Sequence, residues 1–146
     1  MTISVLLVDD HALIRQGLRR AFEQTEDLKV VGEASSVAEA LALDRAHTPD
    51  VLVVDVNLGD GSGIEVVRQG RAQRPLAGLV VCTMYDGDEH LLAAREAGAS
   101  SFVLKQAPAE EVVQAARRAA ESPTTFTADG LAAAMRDHLE AASDVA

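Results

Sequence analysis

The chain has 146 residues, 48% of them hydrophobic, which suits one ordinary domain with a core of its own. Thirteen Lys and Arg against 23 Asp and Glu leave a net charge of −10, which argues against binding nucleic acid through clustered basic residues. The single cysteine, Cys82, excludes a disulfide framework and a cysteine-based zinc site.

MTIS leads straight into a short apolar strand, without the basic region and long apolar stretch of a signal peptide. No apolar run approaches the ~18 residues that a membrane span needs. A cytoplasmic protein with no membrane association is expected. ISVLLVDD (3–10) reads as a buried strand ending in two acids. Over 11–25, Leu13, Ile14, Leu18 and Phe22 recur at helical spacing. LKVVGEA (28–34) is a second strand, and an Ala/Leu helix over 36–47 stops before Pro49. VLVVD (51–55) is the third strand. Ser62 can cap a helix over 63–73 that turns Ile64 and Val67 inward. GLVVCTM (78–84) is the fourth strand. Asp88 caps a helix through Ala97, with Gly98 as its C-terminal glycine. SSFVLK (100–105) is the fifth strand, and Pro108 opens a helix over 109–120 where proline is tolerated. SPTTFT (122–127) reads as a linker. Residues 128–143 read as an Ala-rich helix, too short for a domain, with Leu131, Met135 and Leu139 at four-residue spacing as a docking face or linker helix.

Five βα units with apolar strands imply an α/β fold, a parallel sheet covered by helices on both faces. The count and length fit a doubly wound (βα)5 sheet of flavodoxin-like order 2-1-3-4-5, plus a C-terminal linker or extra helix. Such sheets carry function at the carboxyl ends of their strands. Those ends hold Asp9 and Asp10, Asp55, Thr83 and Lys105. Two adjacent carboxylates beside a third make a hard-oxygen site suited to Mg2+, and without a cation they repel. An Asp carboxylate can also attack phosphorus and form an aspartyl-phosphate. Phosphoryl transfer needs positioning and neutralisation of the equatorial oxygens, which a divalent ion, an ammonium and a hydroxyl supply together. Eleven arginines stand against two lysines, Lys29 and Lys105, so each lysine invites a reason. A compact point charge suits the position of Lys105 better than a planar fork.

VLLVDDHALIRQGLRRAF, VLVVDVNLGDGSGIEVV, VVCTMYDGDEHLLAAREAGASSFVLK and the helix after Pro108 resemble a response-regulator receiver domain (CheY-like) of two-component signalling over residues 3–120. Asp-Asp-His after the first strand and Thr-Met-Tyr-Asp after the fourth resemble its NarL/FixJ subfamily. The resemblance implies that Asp55 accepts a phosphoryl group from a sensor histidine kinase. It implies Mg2+ (or Mn2+) held by Asp10 directly, Asp9 through water, Asp55, and the backbone carbonyl of Asn57. It assigns phosphoryl contacts to Thr83 and Lys105, and a coupled switch to Thr83 and Phe102, although Phe102 also reads as plain core. The implied role is a phosphoacceptor that assists its own phosphorylation and dephosphorylation, rather than an enzyme. The expected division is a receiver domain over 1–122 and a linker with a partial helix over 123–146. The subfamily implies a helix-turn-helix output beyond this chain, so DNA is expected only through that domain, and a homodimer on phosphorylation. A stand-alone receiver is the alternative.

Three positions depart from the usual pattern. Gly59 replaces a frequent proline, which should loosen the loop after Asp55. Gln106 replaces another, which leaves the Lys105–Gln106 isomer open. Met84 is larger than usual and, with Tyr85, could restrict attacking water, so slow autodephosphorylation is expected. Cys82 reads as a buried small hydrophobe. His11, His47, His90 and His138 lack metal-ligand spacing and read as surface residues or caps.

Competing readings fare worse. A haloacid-dehalogenase-type hydrolase expects Asp-x-Asp after its first strand and the acidic pair last; here the pair comes first, and Asp55-x-Asn57 lacks the second acid. A dinucleotide site would need Gly-x-Gly-x-x-Gly after the first strand, where DDHALIRQ stands. A pseudoreceiver usually loses acids or the lysine, and none is lost. DVNLGDGSGIE also resembles a calcium loop, but the sixth and twelfth positions from Asp55 are Asp60 and Val66, where glycine and glutamate are required.

Overall fold

The computed structural model describes residues 2–84 and 88–128. Along the chain run β1 (Ile3–Val8), α1 (Ala12–Glu23), β2 (Leu28–Ala34), α2 (Val37–His47), β3 (Val51–Asp55), β4 (Asn57–Leu58), β5 (Gly61–Ser62), α3 (Gly63–Gln73), β6 (Gly78–Thr83), α4 (Asp88–Ala97), β7 (Ser101–Leu104) and α5 (Ala109–Glu121). The main sheet has the order β2-β1-β3-β6-β7, all pairs parallel. With the small β4–β5 ribbon set aside, this is the expected order 2-1-3-4-5. The antiparallel ribbon has no counterpart among the expected elements, because two-residue strands carry no readable alternation.

The strands are continuous aliphatic runs because both of their faces are covered. Leu6, Val8, Leu52, Val54, Leu79 and Val81 pack on one side with Ala40 of α2, Val67 of α3 and Ala94 of α4. Val5, Leu7, Val51, Val53, Val80 and Cys82 pack on the other with Phe22 of α1 and Val112, Val113 and Ala116 of α5. Each buried Val or Leu contributes roughly 1.5–3 kcal/mol relative to leaving it in water. The alternation therefore anchors every strand to two cores and fixes its register. One expected apolar position of α1 differs: Leu13 is 81% exposed. Ile14, Leu18 and Phe22 follow one another every four residues and make the inward stripe, from which Leu13 is turned by about 100°.

The helix ends obey local chemistry. Ser36 accepts from the Glu39 N–H, and Ser62 accepts from the Ile64 N–H. Gly98 ends α4 at φ 102, a left-handed conformation that favours glycine. Pro108 occupies the position just before α5. The side chain of Asp88, Tyr85, and the expected helix with Leu131, Met135, Leu139 and His138 lie outside the described residues. Among the described residues no helix is long and apolar enough to cross a membrane.

The stretch after α5, which reads as a linker, returns along the free edge of β7. Thr127 bridges Ser101 in parallel. Its N–H donates to the Ser100 carbonyl at 2.9 Å, and its carbonyl accepts from the Phe102 N–H at 3.0 Å. Ser100 Oγ donates to the Pro123 carbonyl at 2.5 Å. Arg71 clamps the turn from α3, donating to the carbonyls of Pro75, Gly98 and Pro123 at 2.6, 2.9 and 2.9 Å. Phe126 packs against the core. An open strand edge is thereby covered. Arg71→Met keeps the apolar stem and removes the clamp. Hydrogen exchange at the Thr127 and Phe102 amides is expected to accelerate on the order of tenfold, the weight of one charge-assisted hydrogen bond, with β1 and β3 amides unchanged. Unchanged exchange at Thr127 would show that Arg71 does not hold this segment.

Candidate functional site

Four strands end on the same edge of the sheet, and their exits bring the acids and the lysine together. Lys105 Nζ donates to Asp55 Oδ2 at 2.8 Å and lies 3.2 Å from Asp9 Oδ2. All three side chains are nearly inaccessible, whereas Asp10 stays about one-third exposed. Ligand atoms of Asp9, Asp10, His11 and Asp55 all lie within 4.8 Å of one another.

Local structure explains each placement. Asp55 is the last residue of a fully buried strand, opposite Cys82 of β6. Behind it α3 begins at Gly63, where an added Cβ would sit 2.0 Å from the Asp55 carbonyl oxygen, so only glycine lets the helix approach. The Asn57 N–H donates to Asp55 Oδ1 at 3.3 Å and steadies the carboxylate. The loosening expected from Gly59 is opposed at the next residue. Both carboxylate oxygens of Asp60 accept from the first helical N–H groups of α2, Val37 at 2.7 Å and Ala38 at 3.2 Å. These bonds hold the Asp60 carboxyl below its ordinary value. The GDGSG stretch thus caps two helices, α2 through Asp60 and α3 through Ser62. Asp9 is held by the His11 N–H, which donates to its Oδ1 at 2.7 Å, and by Arg15 Nη1, which donates to its carbonyl at 2.5 Å. Arg15 is itself paired with Glu33 of β2 at 3.0 Å.

Thr83 is fully buried at the end of β6, and its carbonyl accepts from the Lys105 N–H at 2.7 Å. Phe102 is buried in the core opposite Val81, three residues before Lys105. Asn57 is exposed at the start of the ribbon, and Met84 is 45% exposed where the chain leaves β6. No described peptide bond is cis, so Lys105–Gln106 is trans. His11, expected on the surface or as a cap, is exposed at the N-cap position of α1, and its ring also leans over the acids. Its Nδ1 lies 2.9 Å from Asp10 Oδ1 and 3.2 Å from Lys105 Nζ. The available signal was its adjacency to the acidic pair.

Burial pushes the Asp55 carboxyl above its ordinary value; Lys105 opposes this, and the charge of Asp9 adds to it. Burial works against the Lys105 ammonium, but the two carboxylates outweigh it and hold it above its ordinary value. A cavity of about 170 Å3 shares Asp9, Asp55 and Lys105 with the site and is otherwise lined by groups such as Ile14, Leu18, Val53 and Val112. Cys82 borders it, its thiol pushed up to about 12 by burial, so it is chemically quiet. Three carboxylates and one ammonium leave an excess of negative charge on hard oxygens, a donor set that fits a divalent cation.

Fold and site together define an α/β signalling domain of the receiver class. The chain belongs to the response regulator receiver domain family, which it matches over residues 5–117. It is 44% identical over 115 residues to the DNA-binding transcriptional activator DevR/DosR of Mycobacterium tuberculosis, covering 79% of this chain and 53% of that protein. It is 32% identical over 126 residues to the response regulator VraR of Staphylococcus aureus, covering 86% and 60%. The crystal structure of a LuxR-family two-component response regulator from Aurantimonas sp. SI85-9A1 superposes with a TM-score of 0.85 at 35% identity, covering 94% of this chain and 98% of that one. The signal receiver domain of the putative response regulator NarL from Mycobacterium tuberculosis gives 0.79 at 31% identity, covering 83% and 98%. These relatives place the chain among receiver domains of NarL/LuxR-type response regulators, and it spans just over half the length of DevR/DosR and VraR.

The raised value of Asp55 has a definite sign for stability. The folded state keeps the Asp55 proton to higher pH than the unfolded chain, whose carboxyl titrates near 3.8. Stability therefore falls as pH rises from the unfolded value through the raised one. Without divalent ions, the wild type is expected to lose stability relative to Asp55→Asn as pH rises through this window, measured by urea unfolding from about pH 3.5 to 7. A stability difference that is flat or rises with pH would contradict the assignment.

Proposed function

We propose that the chain receives a phosphoryl group on Asp55 from a sensor histidine kinase, acting in the cytoplasm. The observation that carries this reading is the buried Asp55 carboxylate, 2.8 Å from Lys105 Nζ and beside two further acids at the strand ends. An Asp55 oxygen attacks phosphorus in line, and the bond from phosphorus to the donor nitrogen breaks with its electron pair leaving on the donor imidazole. Such transfers pass through a loose transition state, so positioning and charge neutralisation do most of the catalysis. Lys105 moves its ammonium from the Asp55 carboxylate to a phosphoryl oxygen, and Thr83 donates its hydroxyl to another. Asp10, Asp55 and the Asn57 carbonyl would hold Mg2+ (or Mn2+), with Asp9 acting through water. When bound, the ion neutralises phosphoryl oxygen charge.

Residues 1–122 act as the receiver unit, and 123–146 as the linker with the start of a connecting helix. Drawing the Thr83 hydroxyl toward a phosphoryl group shifts Phe102, whose N–H donates to the Thr127 carbonyl. The phosphorylation state thereby reaches the linker, a homodimer forms, and a helix-turn-helix domain elsewhere in the whole protein engages DNA.

The test is incubation with phosphoramidate and Mg2+, followed by intact mass. A stable adduct of about 80 Da on the wild type, absent from Asp55→Asn, is expected. Turnover without adduct would indicate a hydrolase, and no reaction a pseudoreceiver. The bulk of Met84 at the exit of β6 supports a slow loss of the phosphoryl group. The adduct is expected to last minutes or longer, and Met84→Ala to shorten its lifetime. Decay of the wild type within seconds would overturn this second point.

A further inference from the structure

We propose that His11 adds a nitrogen ligand to the divalent-ion site of Asp9, Asp10 and Asp55, biasing it toward transition ions such as Mn2+ and Co2+ over Mg2+. This rests on the reading of those acids as metal ligands. His11 precedes α1 in the N-cap position, yet its side chain makes no capping hydrogen bond. The turn into the helix is held instead by Asp9, which accepts the His11 N–H. The imidazole is thus released from a structural duty and turns toward the acids.

The spacing is that of a coordination shell. Around an octahedral ion with ligands at about 2.1 Å, neighbouring ligands stand ~3.0 Å apart and opposite ones ~4.2 Å. His11 Nδ1 lies 2.9 Å from Asp10 Oδ1, 3.3 Å from Asp9 Oδ1 and 3.9 Å from Asp55 Oδ2. The Asp10 distance is a neighbour spacing and the Asp55 distance approaches an opposite one, while Asp9, which acts through water, sets no ligand spacing. Asp10, Asp55 and the Asn57 carbonyl, with one water held by Asp9, account for four of six positions, so a place remains for the ring nitrogen.

The surroundings of Nδ1 leave its lone pair available to a cation. Lys105 Nζ lies 3.2 Å away but already has Asp55 and Asp9 as acceptors, so it does not depend on the ring nitrogen. With a cation among the acids, Nδ1 would direct its lone pair at the ion while Lys105 keeps Asp55 and Asp9. Imidazole nitrogen favours borderline transition ions, whereas Mg2+ prefers oxygen. His11 therefore strengthens Co2+ binding most, and less so the binding of Mn2+, an ion that also accepts oxygen-only sites, while adding little for Mg2+.

The test uses the full chain with Mg2+, Mn2+ or Co2+ alone. Titration calorimetry of wild type and His11→Ala gives the affinities, and electron spin-echo modulation of Mn2+-loaded protein detects directly bound nitrogen. Nitrogen modulation is expected in the wild type and lost in His11→Ala, which separates His11 from His47, His90 and His138. The Co2+ to Mg2+ affinity ratio is expected to fall about tenfold or more in the variant, with Mg2+ affinity unchanged. Mn2+ bound without nitrogen modulation, or modulation and ratio both preserved in His11→Ala, would overturn the role of His11 and leave the acidic site standing. If none of the three ions binds the wild type, the acidic site itself falls, and His11 with it.

Discussion

The pairing of Lys105 with Asp55 across 2.8 Å, between the ends of β7 and β3, is the interaction on which the site depends. Two carboxylates about 4 Å apart repel by roughly 4 kcal/mol at an effective dielectric of about 20. Burial adds to the cost of charging Asp55. Without the ammonium, Asp9 and Asp55 would be driven apart. Lys105 holds both at close range, and a lysine with only donors can be redirected when a more negative group arrives. The same pair that holds the acids together is therefore suited, on the proposed function, to release Asp55 toward phosphorus.

The frame around the pair is built to resist rearrangement. The side chains of β1, β3 and β6 alternate between two separate cores, so a slip of one residue would exchange one core's contacts for the other's. Gly63 lets α3 press on the backbone of Asp55, and Asp60 ties the following ribbon to α2. The positions of Asp9 and Asp55 are thus fixed by packing and by backbone hydrogen bonds. The β7 edge is the exception in character. It pairs with β6 on one side and with the returning tail at Thr127 on the other, and the Phe102 N–H itself donates to the Thr127 carbonyl, so a shift in β7 reaches the tail directly.

Much of this was legible because parallel strands buried on both faces read as unbroken aliphatic runs, and the residue that closes such a run lies at the functional edge. ISVLLV, VLVVD and GLVVCT announced themselves in that way, and with them the positions of Asp9, Asp55 and Thr83. Ser62, Gly98 and Pro108 marked helix ends through local chemistry that needs no tertiary context. Leu13 was not legible, because hydrophobicity does not distinguish it from Ile14 and only the rotation of α1 against the sheet decides. The β4–β5 ribbon was too short to show a period.

By itself, then, the order of residues determined the strand and helix pattern, the parallel sheet, and the set of acids, hydroxyl and lysine at its carboxyl edge. These come from periodicity and from the rule that βα units wind in one sense. The tertiary structure alone decided that the imidazole of His11 leans over the acidic site, that Asp60 caps a helix more than twenty residues before it, and that Arg71 and Ser100 fasten the tail along β7. Each of these is a contact between groups far apart in sequence or a choice of side-chain direction. Neither leaves a local pattern, because its energy exists only once the partners have been brought together.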